Sequence, residues 1–305
     1  MTMGHVRHPQ TLARAVTVEG IGLHSGRPCR VTVHPTDRPT GLAFHHVPSR
    51  VDIPARADLT GDLRLATTLV KDGVRLQTVE HLLSALSGLD IHHARIETDG
   101  EELPILDGSA APWVEALDAA GFKSLRGPRR WIQVLRTVEV RDGSRWIRIS
   151  PHAGLRIRYT IDFSHPAIGR QTREMTLTPD KFRREVGRAR TFCLEQEVTQ
   201  MRAMGLALGG SLDNALVFGP RGPLNEVLRY EDEAVRHKIL DLVGDLALLG
   251  APVHGFVEVH AGGHALHIAL AKALLADPSA WRWEDASEPA LRRFPGGLTI
   301  HPLPA

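Results

Sequence analysis

The chain predicts an α+β fold in two parts, and three observations carry that reading. Each half opens with short strand-like runs rich in β-branched residues and closes with helical apolar periodicity. Strands and helices do not alternate regularly, as a parallel βαβ sheet would require. A basic Gly/Pro-containing connector, Lys123–Trp131, separates the halves. The expected division is therefore residues 1–126 and 127–305. A length of 305 residues suits two domains with sizeable cores.

In the first half, Leu12–Val18 reads as a strand, Gly20–Gly26 as a glycine-rich turn, and Cys29–Val33 as a second strand. A helix is expected from near Thr78 through VEHLLSALSGL, with Gly88 as its stop. His93–Glu97 reads as a strand, and Pro112 is well placed to open a second helix. The second half restarts with strands at Trp131–Val140, Arg145–Ile149 and Leu155–Asp162, the first two joined by an Asp142-Gly143 hairpin turn. Helices are expected near Lys181–Val186 and at Leu194–Met204, followed by the glycine-rich run LALGGSLDNALVF. A helix through Ala234–Asp245, a strand at Gly255–Val259 and a last helix at His264–Leu275 complete the chain.

Composition narrows the function. The apolar fraction is 42%, the charged fraction 24% and the net charge +2, so nothing in the charge balance demands a nucleic-acid or membrane partner. Only 5% of residues are aromatic, and no basic run carries interleaved aromatics, which argues against nucleic-acid binding. Cys29 and Cys193 are the two cysteines, too few for a disulfide framework or a thiolate zinc cluster. A metal would need nitrogen and oxygen ligands, and 17 histidines make such ligands available. Several of these, such as His5, His8, His152 and His301, are expected to do nothing chemical. No apolar run has the length of a bilayer span, and MTMGHVRHPQTLARAV lacks a signal-peptide core. The expectation is a cytoplasmic monomer without an integral membrane segment.

The chemistry-bearing residues cluster in few places. His237, Asp241 and Asp245 recur at steps of four, so a helix aligns them on one face. A histidine and a carboxylate one turn apart can grip one divalent ion, although HxxxD also describes the polar stripe of an amphipathic helix. Glu80 and His81 open the Thr78 helix, as a general base beside a ligand or as an acidic residue favouring the helix dipole. HExxH and HxxEH are both absent. His81, His237 and Asp241 would leave a fourth position for water, the pattern of a catalytic zinc. His264 begins a helix after Gly262-Gly263; the helix end disfavours its protonation, and a nearby Asp245 would favour it. His267, one turn on, competes for an acid role, and either residue alone also reads as a packing histidine. In Arg188–Cys193, Thr191 can donate to an oxyanion and Phe192 can pack on a sugar, unless this is a strand end with solvated arginines. The Asp107-Gly108 turn carries no readable chemistry.

Together these segments resemble one family, the zinc-dependent UDP-3-O-acyl-N-acetylglucosamine deacetylases of lipid A biosynthesis in Gram-negative bacteria. The resemblance runs through GIGLHSG (20–26), TVEHLLSALSGLDI (78–91), PILDGSAAPWV (104–114), DFSHPAI (162–168) and RARTF (188–192). It continues through GLALGGSLDNALVF (205–218), LRYEDEAVRHKILDLVGDLALLG (228–250) and GGHAL (262–266). It implies two domains, each a sheet layered with helices, the helix layers packed face to face in a β-α-α-β sandwich with the site between them. It implies zinc, or Fe2+ accepted by the same donors, on His81, His237 and Asp241. Glu80 matches the general base, His264 the imidazolium that protonates the leaving amine, Asp245 its orienting carboxylate, and Thr191 the oxyanion donor. Lys238 and Phe192 match the substrate pocket, and an insert near 193–217 matches the acyl passage, with Leu194, Val198, Met201, Leu212 and Val217 as candidate walls. The implied substrate is a UDP-linked acylated amino sugar.

The chain departs from the family at Gly263, often serine, and at His267, often asparagine. The turn after Leu224-Asn225-Glu226 is shorter, and Ala66-Thr67-Thr68 falls where some relatives have cysteines. Glu195 and Arg202 bear on acyl-chain preference. Two alternatives stand beside this reading: a zinc amidohydrolase for another N-acyl sugar, and a non-catalytic binder of lipid precursors.

Overall fold

A computed structural model describes residues 8–225 and 227–286. His5, His301 and Glu226 lie outside the described residues, as do both extremes of the expected domains. The helices are α1 (Glu80–Gly88), α2 (Ala111–Ala120), α3 (Pro179–Lys181), α4 (Glu195–Ala203), α5 (Glu233–Leu246) and α6 (His264–Ala276).

A five-stranded sheet occupies the first half, in the order Val16–Ile21, Pro28–His34, Ala94–Thr98, Leu42–His46, Val51–Pro54. Its alternation is visible in Pro28–His34, where Cys29, Val31 and Val33 turn inward. The second half carries a seven-stranded sheet around Val253–His260, which pairs with Arg145–Ser150 on one side and Leu155–Asp162 on the other. Asp142 faces Arg145 across a two-residue turn, so the expected hairpin forms, with Gly143 at φ +59°. Among the described residues, no strand pairing crosses from the first half to the second at residue 127.

Helices fill the space between the sheets. α1 packs on α2 and on α5, while α5 and α6 cover the inner face of the second sheet. The layers run sheet, helices, helices, sheet, in an α+β fold. α1 and α5 are buried on nearly every side because each meets a sheet-side neighbour and the opposite helix layer. Leu82, Leu83 and Leu86 of α1 are fully enclosed, and each such burial contributes about 1.5–3 kcal/mol.

Local structure corrects several expectations. Leu12–Val18 divides into Gln10–Leu12, which pairs with Phe122–Ser124, and Val16–Ile21. The expected connector is thus partly strand. Trp131–Val140 also divides, into Arg130–Val134 and Val138–Asp142, so that the chain serves two positions in one sheet. Near Lys181–Val186, Thr178 caps a short turn through Lys181 N–H, and the chain then widens into a π-helical turn at Phe182–Val186. Both large sheets are mixed. Ala94–Thr98 pairs with Leu42–His46 in parallel, as does Leu155–Asp162 with Val253–His260. α4 and the small sheet Phe192–Leu194, Leu216–Gly219, Gly222–Pro223 form the insert of the second half. No helix among the described residues is long and apolar enough to cross a membrane.

Candidate active site

The polar site lies where α1 meets α5. Gly244 permits that approach: a Cβ there would sit 2.1 Å from the carbonyl oxygen of Glu80. The helices therefore bring the N-terminus of α1 against the α5 face that carries His237, Asp241 and Asp245. All five of these polar side chains, from Glu80, His81, His237, Asp241 and Asp245, are buried.

His81, His237 and Asp241 each place one ligand atom within 4.8 Å of the others. His237 Nδ1 donates to the Ala189 carbonyl at 3.0 Å, so its Nε2 carries the lone pair. That bare nitrogen lies 3.2 Å from Asp241 Oδ1, and two acceptors so close call for a cation. Burial holds the His81 imidazole down at about 3, with His237 adding to the effect, and its Nδ1 has no hydrogen-bond partner among the described residues. Burial likewise lowers His237. Burial acts to raise Asp241, but His237, Lys238, His264 and His81 together hold it well below the usual carboxylate range. Two neutral imidazoles, one of them with an orphaned buried nitrogen, and one carboxylate make a three-residue donor set that suits a divalent ion such as zinc.

Glu80 and His264 flank this set. His264 Nε2 stands 4.0 Å from Glu80 Oε1 and 4.0 Å from Asp241 Oδ2. Burial drives the Glu80 carboxyl up to about 8, partly offset by His264. Burial acts to lower His264, but the Asp245 carboxylate, then Asp241 and Glu80, raise it to about 9. Asp245 Oδ2 accepts from His264 Nδ1 at 2.8 Å and from His267 Nδ1 at 2.8 Å. His267 Nε2 meets the Tyr159 hydroxyl at 2.9 Å. Both His267 nitrogens are thus engaged inside the protein, and His264 alone of the pair borders the cavity. Asp245, His264 and His267 also cluster tightly, but hydrogen bonds account for their facing atoms.

A cavity of about 290 Å3 opens over these groups. Glu80, His81, Thr191, Phe192, His237, Lys238, Asp241 and His264 all line it, drawn from both halves of the chain. Lys238 Nζ bonds Asp241 Oδ2 at 2.8 Å and lies 5.7 Å from the Phe192 ring centre. Thr191 is half-buried in the cavity wall. Leu194, Val198, Met201, Leu212 and Val217 do not line this cavity. They lie on the insert, where Leu212 is 49% exposed and the other four are half-buried.

The sequence reading missed three contributors. Thr67 donates its backbone N–H to Glu80 Oε2 at 3.0 Å and its hydroxyl to Asp245 Oδ1 at 2.6 Å, tying Glu80 to Asp245. It sits in an irregular segment, and no periodicity marks it. Arg145 and His24 also line the cavity; each lies beside a turn signal that was legible, but only as a turn.

Comparisons with known proteins find relatives along nearly the whole chain. The family model described as LpxC, UDP-3-O-acyl N-acetylglycosamine deacetylase, matches residues 9–276. A protein of Anaeromyxobacter sp. (strain Fw109-5), named UDP-3-O-acyl-N-acetylglucosamine deacetylase, is 45% identical over 294 residues, 95% of this chain and 97% of the relative. Its namesake from Anaeromyxobacter dehalogenans (strain 2CP-C) is 45% identical over 297 residues, 96% of each chain. The chain belongs to the UDP-3-O-acyl N-acetylglycosamine deacetylase family.

Proposed function

We propose that this chain hydrolyses the N-acetyl group of UDP-3-O-acyl-N-acetylglucosamine, giving UDP-3-O-acyl-glucosamine and acetate for lipid A biosynthesis. The observation that carries the reading is the placement of His264 Nε2 at 4.0 Å from Glu80 Oε1, beside three ligand-type groups. His81, His237 and Asp241 would hold zinc, and Fe2+ suits the same donors. A bound zinc ion supplies Lewis acidity to the amide carbonyl and to water.

The chain's own residues do the rest. Glu80 accepts a proton from the attacking water as the new C–O bond forms. A cation beside it counters the burial that raises its pKa, which favours the carboxylate. Thr191 Oγ1 donates to the developing oxyanion. The C–N bond breaks, and His264 Nε2 passes its proton to the sugar nitrogen. Asp245 holds His264 through Nδ1 and stabilises its charge. Lys238 and Phe192 border the sugar, and the acyl chain runs towards Leu194, Val198, Met201, Leu212 and Val217. The halves 1–126 and 127–305 act as two domains of a cytoplasmic monomer.

The test is acetate release from UDP-3-O-acyl-N-acetylglucosamine by metal-stripped protein, before and after one equivalent of zinc. Zinc-dependent release is expected, with far slower release from the analogue lacking the 3-O-acyl chain. No release from folded, zinc-loaded protein would overturn the assignment. Equal release from the analogue would point instead to another N-acyl sugar.

A further inference from the structure

The Asp107-Gly108 turn belongs to none of the steps above, yet it reaches into the other half of the chain. Its Gly108 carbonyl accepts the Thr191 backbone N–H at 2.8 Å, while Leu216 N–H bonds the Thr191 carbonyl at 2.7 Å. The Thr191 peptide is therefore gripped from both sides. Gly108 sits at φ +82°, and a Cβ there would stand 2.0 Å from the Asn214 carbonyl oxygen. Only glycine lets the turn seat against the second half at this point.

The side chains extend the grip. Asp107 Oδ1 accepts from the Ser109 N–H at 3.0 Å and hydroxyl at 2.8 Å, which shapes the turn. Asp107 Oδ2 accepts from Arg229 at 2.7 Å, and the same guanidinium nitrogen reaches the Arg188 carbonyl at 3.0 Å. Arg229 N–H bonds Glu233 Oε2 at 2.6 Å, and Glu233 Oε1 receives Arg190 N–H at 3.0 Å. Each residue from Arg188 to Thr191 is thus held: by Arg229, by His237, by Glu233 and by Gly108 in turn.

We propose that the Asp107–Ser109 turn is a latch between the two halves that positions Thr191 for the reaction, with Asp107 and Arg229 as its positioning residues. This rests on the assignment of Thr191 as oxyanion donor. The latch acts on orientation: releasing it lets the 188–191 segment drift, and a drift of about 1 Å at a reacting group costs on the order of 100-fold in rate.

The experiment compares D107N, R229A, T191A and the double variant D107N/T191A in the zinc-loaded enzyme, reading kcat, KM and Tm. D107N keeps the Ser109 acceptor but presents a donor or a neutral oxygen to Arg229, so it probes the latch without emptying the turn. R229A tests the same contact from the other half. D107N and R229A are each expected to lower kcat about 10- to 100-fold with KM nearly unchanged. In the T191A background, D107N should add less than about threefold, since both act through one group. Wild-type kcat in folded D107N and R229A would overturn the latch, as would full multiplication of the D107N and T191A losses. Wild-type kcat in T191A would instead overturn the assignment of Thr191.

Discussion

Replacing Gly244 by alanine tests the geometry that makes the site. The ideal Cβ would lie 2.1 Å from the Glu80 carbonyl oxygen, 2.8 Å from its carbon and 3.0 Å from Glu80 Cα. All three atoms are backbone, so no side chain can rotate away. Ordinary contact begins at 3.4 Å, so the helices must part by roughly 1.3 Å at this crossing. Alanine favours the helix by about 1 kcal/mol over glycine. Overpacking against an unyielding backbone costs about 1–3 kcal/mol or more. The net loss should lower Tm by a few degrees. Activity should suffer far more. Parting α1 from α5 separates Glu80 and His81 from His237, Asp241 and Asp245, and a 1 Å error of this kind costs on the order of 100-fold. The assay is kcat for acetate release beside thermal unfolding of the same preparation. A G244A enzyme with wild-type kcat and wild-type Tm would refute the reasoning, because α1 and α5 would then tolerate separation.

Other expectations follow from single contacts. Glu80→Gln should lower kcat by about 10²- to 10⁴-fold with little change in KM, as measured by steady-state acetate release; wild-type turnover would remove Glu80 as the base. His267→Asn keeps a donor for Asp245, whereas His267→Phe strands the Tyr159 hydroxyl, so urea unfolding should show a loss of about 1–3 kcal/mol for phenylalanine and less for asparagine. Zinc at 100 times its Kd should stabilise the stripped protein by about 2.7 kcal/mol, and His237→Ala should abolish that gain in a thermal shift assay. His93 gives a pH test outside the site. Its Nδ1 accepts Gly41 N–H at 2.9 Å, so the ring is neutral when folded, and burial followed by His92 lowers its pKa to about 4 from 6.5. Between those values the unfolded chain holds the extra proton, so this contribution to stability is lost as pH falls from 6.5 towards 4. His93→Asn keeps an acceptor without titrating, and should flatten the slope of stability against pH in that window.

Local signals were legible wherever one element carried them. The four-residue spacing of His237, Asp241 and Asp245 marked α5, and Pro112 marked the start of α2. The Asp142-Gly143 pair marked its hairpin for the same reason, since turn chemistry is confined to adjacent residues. Strands whose partners lie far along the chain were less legible: Gln10–Leu12 and Phe122–Ser124 find each other only across the whole first half.

By itself the sequence determined which helices exist, which of their faces are apolar, and which polar residues those faces present. The physical reason is that helix periodicity and turn geometry act over a few residues. Only the tertiary structure decided that Thr67 bonds both Glu80 and Asp245, that His267 is committed to Tyr159 and Asp245, and that Gly108 holds Thr191. Those contacts join segments far apart in the chain, and no local rule selects one distant partner over another. Packing selects them, because the close passage of α1 over Gly244 fixes which buried donors and acceptors must meet.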